Sequence, residues 1–265
     1  MNGLVEGFDM ILSGYVPSEE ALKAVGKIAK ETKERKGSFW LLDPVMGDQG
    51  RLYVSEAVVP VYKELLPHAD LIVPNQFETE LLTGITINSL ASVSQAIDAI
   101  HSTYGLPHVI ITSITLDGGA TMFCAGSTRT STGKSRKFLF DVPIIDGFYS
   151  GTGDLFAALT LARLREFSAA AGLLGQQSWI APDDVSAIDL PLAKAVGKVL
   201  GSMHLVLEKT KEMRDKVLGI TDASEAEKRG DKTRVEVARA SELRLVRCME
   251  ELKNPGIGYE PVVLA

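Results

Sequence analysis

Gly151-Thr152-Gly153-Asp154 stands directly before the apolar run Leu155-Phe156-Ala157-Ala158-Leu159. Two glycines allow a tight turn and a close approach of backbone to a ligand. The run that follows has helical composition, so the motif marks a helix start. Unpaired N–H groups and a partial positive charge there favour an anion. A carboxylate at such a start stays ionised and can take a proton from an alcohol. Anion cradle and base together are what transfer of a phosphoryl group to a hydroxyl requires. The same four residues also read as a common turn with an Asp cap, and the motif alone does not separate the two.

The elements that must position this motif follow from the apolar pattern. Met10-Ile11-Leu12, Phe39-Trp40-Leu41-Leu42, Leu71-Ile72-Val73 and Val109-Ile110-Ile111 read as buried strands. Glu19 to Glu34 and Ser92 to Tyr104 read as amphipathic helices between them. Strand and helix alternating in this way predict an α/β fold, with a mostly parallel central sheet and helices on both faces. Ala120 to Cys124 and Lys137 to Val142 are expected to be later, antiparallel strands, with Gly126 to Ser135 a flexible Ser/Thr/Gly-rich loop between them. The helix after Asp154 should run to about Glu166. Residues 172–189 read as an irregular insertion, Leu192 to Val217 as a long helix, and 224–239 as a charged connector.

In an open parallel sheet, ligands bind beyond the carboxyl ends of the strands. Polar residues follow four such ends: Asp43-Pro44-Val45-Met46-Gly47-Asp48, Pro74-Asn75-Gln76-Phe77-Glu78, Thr112-Ser113, and Asp146-Gly147 leading to Gly151–Asp154. Asp43 and Asp48 are turn formers or a hard-cation pair, since Mg2+ prefers carboxylates and water. Asn75 and Glu78 fit a capping box and equally suit water-mediated Mg2+. Thr112 and Ser113 either cap a strand or donate hydroxyls to phosphate oxygens. Lys134, Arg136 and Lys137 read as a solvated loop edge, from which one could reach a phosphate on loop closure.

Composition narrows the class. The chain has 265 residues, 45% hydrophobic and 23% charged, with a net charge of −6. That suits a globular protein with a sizeable core and argues against a broad nucleic-acid surface. Cys124 and Cys248 are far apart and read as free thiols. Four scattered histidines lack the spacing of a zinc site. No apolar stretch reaches the ~20 residues that span a bilayer, and the start lacks a signal-peptide pattern. The expectation is a cytoplasmic protein with no membrane or nucleic-acid partner.

The ordered segments Asp43–Asp48, Asn75-Gln76-Phe77-Glu78-Thr79-Glu80-Leu81-Leu82-Thr83-Gly84, Ile111-Thr112-Ser113 and Gly151–Asp154 resemble the signatures of pyridoxal kinases, in the ribokinase-like superfamily. The tail from Glu242-Leu243-Arg244-Leu245-Val246 to Pro261-Val262-Val263-Leu264 resembles the same vitamin B6 branch. The likeness covers nearly the whole chain apart from 172–189 and the charged connector. It implies ATP- and Mg2+-dependent phosphorylation of the 5′-hydroxymethyl group of pyridoxal, pyridoxine or pyridoxamine, usually by a homodimer. It implies Asp154 as base, with the N–H groups of Gly151, Thr152 and Gly153 on the transferring group. Asp43, Asp48, Asn75 and Glu78 would lie around Mg2+ and the ATP phosphates, with Thr112 and Ser113 on the nucleotide. Asp146, Gly147 and Phe148 would border adenosine, while Tyr15 and Tyr53 would touch the vitamer. Val73 stands where family members often carry Thr near a monovalent-cation site, so a role for K+ or Na+ stays open.

Family members begin with further strand–helix units, each on the order of 30 residues, before the segment matching Phe8–Tyr15. The expectation is therefore one ribokinase-like domain over 1–265, lacking those first units, with its ATP half complete and its vitamer pocket mostly absent. Such a chain should phosphorylate pyridoxal poorly alone. A hydroxymethylpyrimidine kinase and a nucleotide-binding remnant without catalysis are the alternatives.

Overall fold

The computed structural model describes residues 7–116, 121–219 and 234–265. The strands are β1 (Met10–Ser13), β2 (Phe39–Leu42), β3 (Gly47–Asp48), β4 (Arg51–Leu52), β5 (Leu71–Ile72), β6 (His108–Thr115), β7 (Thr121–Arg129), β8 (Ser135–Pro143) and β9 (Val262–Val263). The helices are α1 (Glu19–Lys36), α2 (Val58–Leu65), α3 (Gln76–Thr83), α4 (Leu90–Tyr104), α5 (Thr152–Ala170), α6 (Pro191–Leu218), α7 (Arg234–Ala240) and α8 (Met249–Lys253). A seven-stranded sheet has the spatial order β1-β2-β5-β6-β7-β8-β9, and β3 pairs with β4 apart from it. β1, β2, β5 and β6 run parallel, so their carboxyl ends share one edge.

Local chemistry explains the elements. β2 is Phe-Trp-Leu-Leu and buried throughout, as a strand covered on both faces must be. α1 begins where Ser18 accepts from the Ala21 N–H and ends at Gly37 with φ +70°, a conformation that favours glycine at a helix end. One apolar layer joins Trp40, Leu42, Tyr62, Ile72, Ile97 and Ile111. The other joins Phe39, Leu41, Leu71 and Ile110 to Phe156 and Leu161 of α5 and Val196 and Val199 of α6. Helices thus cover both faces, as the pattern predicts.

Several local expectations are corrected. The segment read as a loop from Gly126 to Ser135 is half sheet: β7 and β8 pair continuously, leaving residues 130–134 as the turn. Ser127 and Thr128 are buried there because His101 Nε2 and His108 Nδ1 meet their hydroxyls at 2.9 and 2.8 Å. Polar composition therefore did not mean solvent. β6 does not end at Ile111 but runs to Thr115, with a bulge between Ile111 and Ile114 that holds Thr112 and Ser113. α5 continues past Glu166 to Ala170.

Arg136 and Lys137 lie toward the opposite edge from the parallel strands' carboxyl ends. Arg136 donates to the carbonyls of Ala181, Pro182 and Val185, and Lys137 pairs with Asp98. Neither sits on a loop that could close over a phosphate, and Lys134 is on the same turn. Residues 172–189 are irregular but packed: Trp179 stacks on Phe39 with centroids 4.1 Å apart, and Ser178 bonds Asp70 and His108. Of the expected connector at 224–239, residues 224–233 lie outside the described residues and 234–239 belong to α7. Ala120 also lies outside them. Cys124 and Cys248 are free and buried.

Candidate active site

Four segments converge on the carboxyl edge. After β1, Gly14 faces α5: a Cβ added there would lie 3.8 Å from Asp154 Oδ1. After β2, the Asp43 N–H donates to the Ser13 carbonyl at 2.8 Å, tying the second strand end to the first. After β5, Asn75 caps α3. After β8, which runs parallel to β6 through two antiparallel pairings, residues 144–151 lead into α5.

Asn75 and Glu78 form the predicted capping box, and they do more. Glu78 Oε2 accepts from the Asn75 N–H at 2.9 Å, while Oε1 accepts from Met46 and Gly47 N–H at 2.8 and 3.4 Å. Asn75 Nδ2 donates to the Gly47 carbonyl at 2.7 Å. The α3 cap is thus also the clamp on the Asp43–Asp48 loop. Gly47 is needed for this fit, since a Cβ would come 2.2 Å from the Arg51 carbonyl oxygen. Asp48 closes the β3–β4 turn by accepting from the Gln49 N–H at 2.8 Å.

Asp43 differs from these. Its side chain is buried and makes no hydrogen bond among the described residues. Burial, then the charges of Glu78 and Asp154, push its carboxyl up to about 8. Burial also raises Glu78, to about 7, against the pull of its three backbone N–H donors. Tyr62, buried in α2, directs its hydroxyl toward the Val45 carbonyl at 3.5 Å, and burial followed by the Asp43 and Glu78 charges raises its pKa. The edge therefore crowds carboxyls that resist ionising together, and a cation there would favour their charged forms.

The start of α5 supplies the opposite polarity. Gly151 takes φ +83° as N-cap, and no side chain caps the helix. Its first N–H groups are left for a ligand or water. Asp154 lies exposed in the first turn. Thr112 and Ser113 are half-buried in the β6 bulge, where the Thr112 N–H donates to the Pro74 carbonyl at 3.0 Å. Phe148 is 84% exposed, and Tyr15 and Tyr53 are 55% and 60% exposed. The structure thus draws Asp43, Asn75, Glu78 and Asp154 together with Asp48 beside them, and leaves the three aromatic rings open at the periphery.

Sequence reasoning missed Gly14, Tyr62, Tyr149 and Arg214. Arg214 of α6 is buried and donates to the Asp146 carbonyl at 3.2 Å, as Tyr149 does at 3.0 Å. Nothing local marks an arginine in a charged helix end for this contact; the signal is tertiary.

Mg2+ takes oxygen ligands and keeps several waters, completing its shell with substrate phosphates. Among the described residues, no three His, Cys, Asp or Glu side chains are grouped to hold a metal ion by themselves. The buried, unbonded Asp43 carboxyl fits a cation whose remaining ligands are phosphate and water. Among the same residues, no helix is long and apolar enough to cross a membrane.

Comparison with known proteins identifies the family. A family model described as phosphomethylpyrimidine kinase matches residues 7–171. The pyridoxal kinase of Ovis aries is 31% identical over 273 residues, covering 98% of this chain and 77% of that protein. C18.10 of Schizosaccharomyces pombe is 38% identical over 221 residues. The chain spans 62% of that relative's length and 66% of a second relative from the same yeast. Pyridoxal kinase from Leishmania donovani, solved with ADP and pyridoxamine, superposes with a TM-score of 0.75 at 28% identity, over 100% of this chain and 77% of that one. Sequence kinship and the shared α/β architecture agree, and the chain belongs to the pyridoxal kinase family, with a ribokinase-like fold.

Proposed function

We propose that this chain transfers the γ-phosphoryl group of Mg2+·ATP to the 5′-hydroxymethyl group of pyridoxal, pyridoxine or pyridoxamine. One observation carries the reading: the uncapped start of α5 presents Asp154 beside Gly14 and near the buried Asp43. Free N–H groups for an anion, a carboxylate for a proton and an unbonded acid for a cation meet at one sheet edge.

In the proposed reaction Asp154 takes the proton of the hydroxymethyl group as its oxygen bonds to the γ-phosphorus. The bond to the β,γ-bridging oxygen breaks, and ADP leaves. The backbone N–H groups of residues 151–153 face the charge on the transferring group. Asp43 and Asp48 would hold Mg2+, which would screen the phosphate charge. Glu78, with both oxygens taken by N–H donors, would act through water and by fixing the Asp43–Asp48 loop. Asn75, Thr112 and Ser113 would meet the nucleotide phosphates, Asp146, Gly147 and Phe148 the adenosine, and Tyr15 and Tyr53 the vitamer. Val73 supplies no side-chain oxygen, so a K+ or Na+ near it would rely on carbonyls. A cytoplasmic homodimer is the expected setting.

A hydroxymethylpyrimidine is the alternative acceptor, since the matching family model is described as phosphomethylpyrimidine kinase and so points to a pyrimidine substrate. Calorimetric titration of the folded chain should show Mg2+-dependent ATP binding. Parallel assays should show phosphorylation of pyridoxal in preference to hydroxymethylpyrimidine. A flat ATP titration would overturn the reading, and preferential turnover of the pyrimidine would move it to the alternative.

A further inference from the structure

We infer that Arg214, acting with Tyr149, is a positioning residue for phosphoryl transfer, holding the strap at 144–151 so that the α5 N-terminus and Asp154 face Asp43. The inference rests on the kinase reading above and deepens it. β8 and β1 stand five places apart in the sheet, yet α5, which follows β8, packs against β1. The chain must therefore cross the carboxyl edge between them. It does so as a strap with little burial of its own: Ile144 and Phe148 are exposed, and Tyr149 is its only buried side chain.

Two contacts fix that strap. Ser150 forms an isolated bridge with Glu242. The Asp146 carbonyl accepts both Arg214 Nη1 and the Tyr149 hydroxyl, and the guanidinium lies 5.5 Å from the Tyr149 ring centre. Gly147 takes φ +129°, and a Cβ there would come 1.9 Å from Arg214 Nη1. The strap's turn is shaped around this one guanidinium. Asp215 accepts from Arg214 Nε at 2.9 Å, lies 2.8 Å from its Nη2, and also takes Lys211 at 2.8 Å. The fork of donors is thereby fully oriented.

Burying an arginine is a costly way to gain stability, because its charge loses water. An apolar side chain would pack this spot at less expense, but it could not set the direction of a carbonyl. Direction matters a few residues before a helix whose first turn carries the proposed base. A displacement of about 1 Å at a reacting group can cost ~10²-fold in rate.

The test uses the full chain in four forms: wild type, Arg214→Met, Arg214→Lys and Arg163→Met. Arg163 is the control, since it also donates to two carbonyls, those of Leu252 and Lys253, but far along α5 from Asp154. Steady-state phosphorylation, Mg2+·ATP binding and amide hydrogen exchange at 148–156 are measured for each. Arg214→Met should lower kcat by ~10²-fold with a smaller change in ATP affinity, and should speed exchange at 148–156 while the strands stay protected. Arg214→Lys should recover only part, lacking the fork, and Arg163→Met should keep the wild-type kcat. Active wild type with Arg214→Met indistinguishable from Arg163→Met would overturn this inference and leave the kinase reading intact. Wild type that does not turn over, whether or not it binds ATP, would overturn the kinase reading itself, and this inference with it.

Discussion

At the amino edge of the sheet the Asp70 carboxyl accepts from Lys33, from the Trp40 N–H and from the Ser178 hydroxyl; at the carboxyl edge the side chain of Asp43, also buried, accepts from no described residue. The contrast extends to neighbours. His108 is bonded through both ring nitrogens, to the Ser178 carbonyl and to Thr128, and His101 likewise to Leu106 and Ser127. Since a carbonyl only accepts, His108 carries its proton on Nε2 and His101 on Nδ1. Arg136 is spent on carbonyls of the irregular 172–189 segment. The carboxyl edge instead has an uncapped helix, an unbonded acid and an exposed base. Buried polar groups cost free energy unless paired. One edge meets that demand internally, whereas the other leaves it for a ligand, and stability and function are thereby separated along the strands.

Substitution at the proposed base should show the largest effect. Asp154→Asn should lower kcat by roughly 10²–10⁴, the scale of a lost general base. Melting temperature and Mg2+·ATP affinity should hardly move. An unchanged kcat would make Asp154 a helix-start residue only and would erase the contrast between the edges.

A smaller effect separates the edges by pH. Burial lowers His108 to about 4 from its usual 6.5, and lowers His101 as well. The unfolded chain binds a proton below pH 6.5 that folded His108 refuses until about pH 4, so its contribution to stability is lost as pH falls through that window. From pH 7 to pH 5 the loss is about 2 kcal/mol. Asp43 and Glu78 act in the opposite sense. Raised to about 8 and about 7, they favour the folded state below their unfolded values and withdraw that stability as pH rises toward 8. Denaturant unfolding of wild type and His108→Gln at both pH values should show the difference between them changing by that amount. A constant difference would mean that the amino edge does not depend on a neutral imidazole.

Much of this was legible in the sequence where the cause is local. The Gly151 turn, the Asn75–Glu78 cap and the uniformly apolar β2 declare themselves within a few residues. The polar run 126–129 did not, because the histidines that allow its burial lie 20 and 26 positions earlier in the chain. Nor did the β6 bulge, which arises where the sheet passes from parallel to antiparallel pairing. Arg214 and Tyr62 act through contacts that no spacing encodes. The roles of the site residues came from ordered short motifs, whereas the unbonded Asp43 emerges only when three strand ends and a helix are brought together.

Asp43 is the most direct test of the idea that the carboxyl edge gives up stability for a ligand. Thermal and denaturant unfolding of wild type and Asp43→Asn would be compared at pH 8, with and without Mg2+·ATP. Without nucleotide the variant should be more stable than wild type at pH 8 and should lose that advantage as pH falls toward 5, because ionising the raised Asp43 carboxyl opposes folding. Adding Mg2+·ATP should raise the stability of wild type and leave the variant nearly unmoved. A variant that is less stable than wild type, yet still stabilised by Mg2+·ATP, would contradict the account: Asp43 would then be a structural residue, and the two edges would not differ in kind.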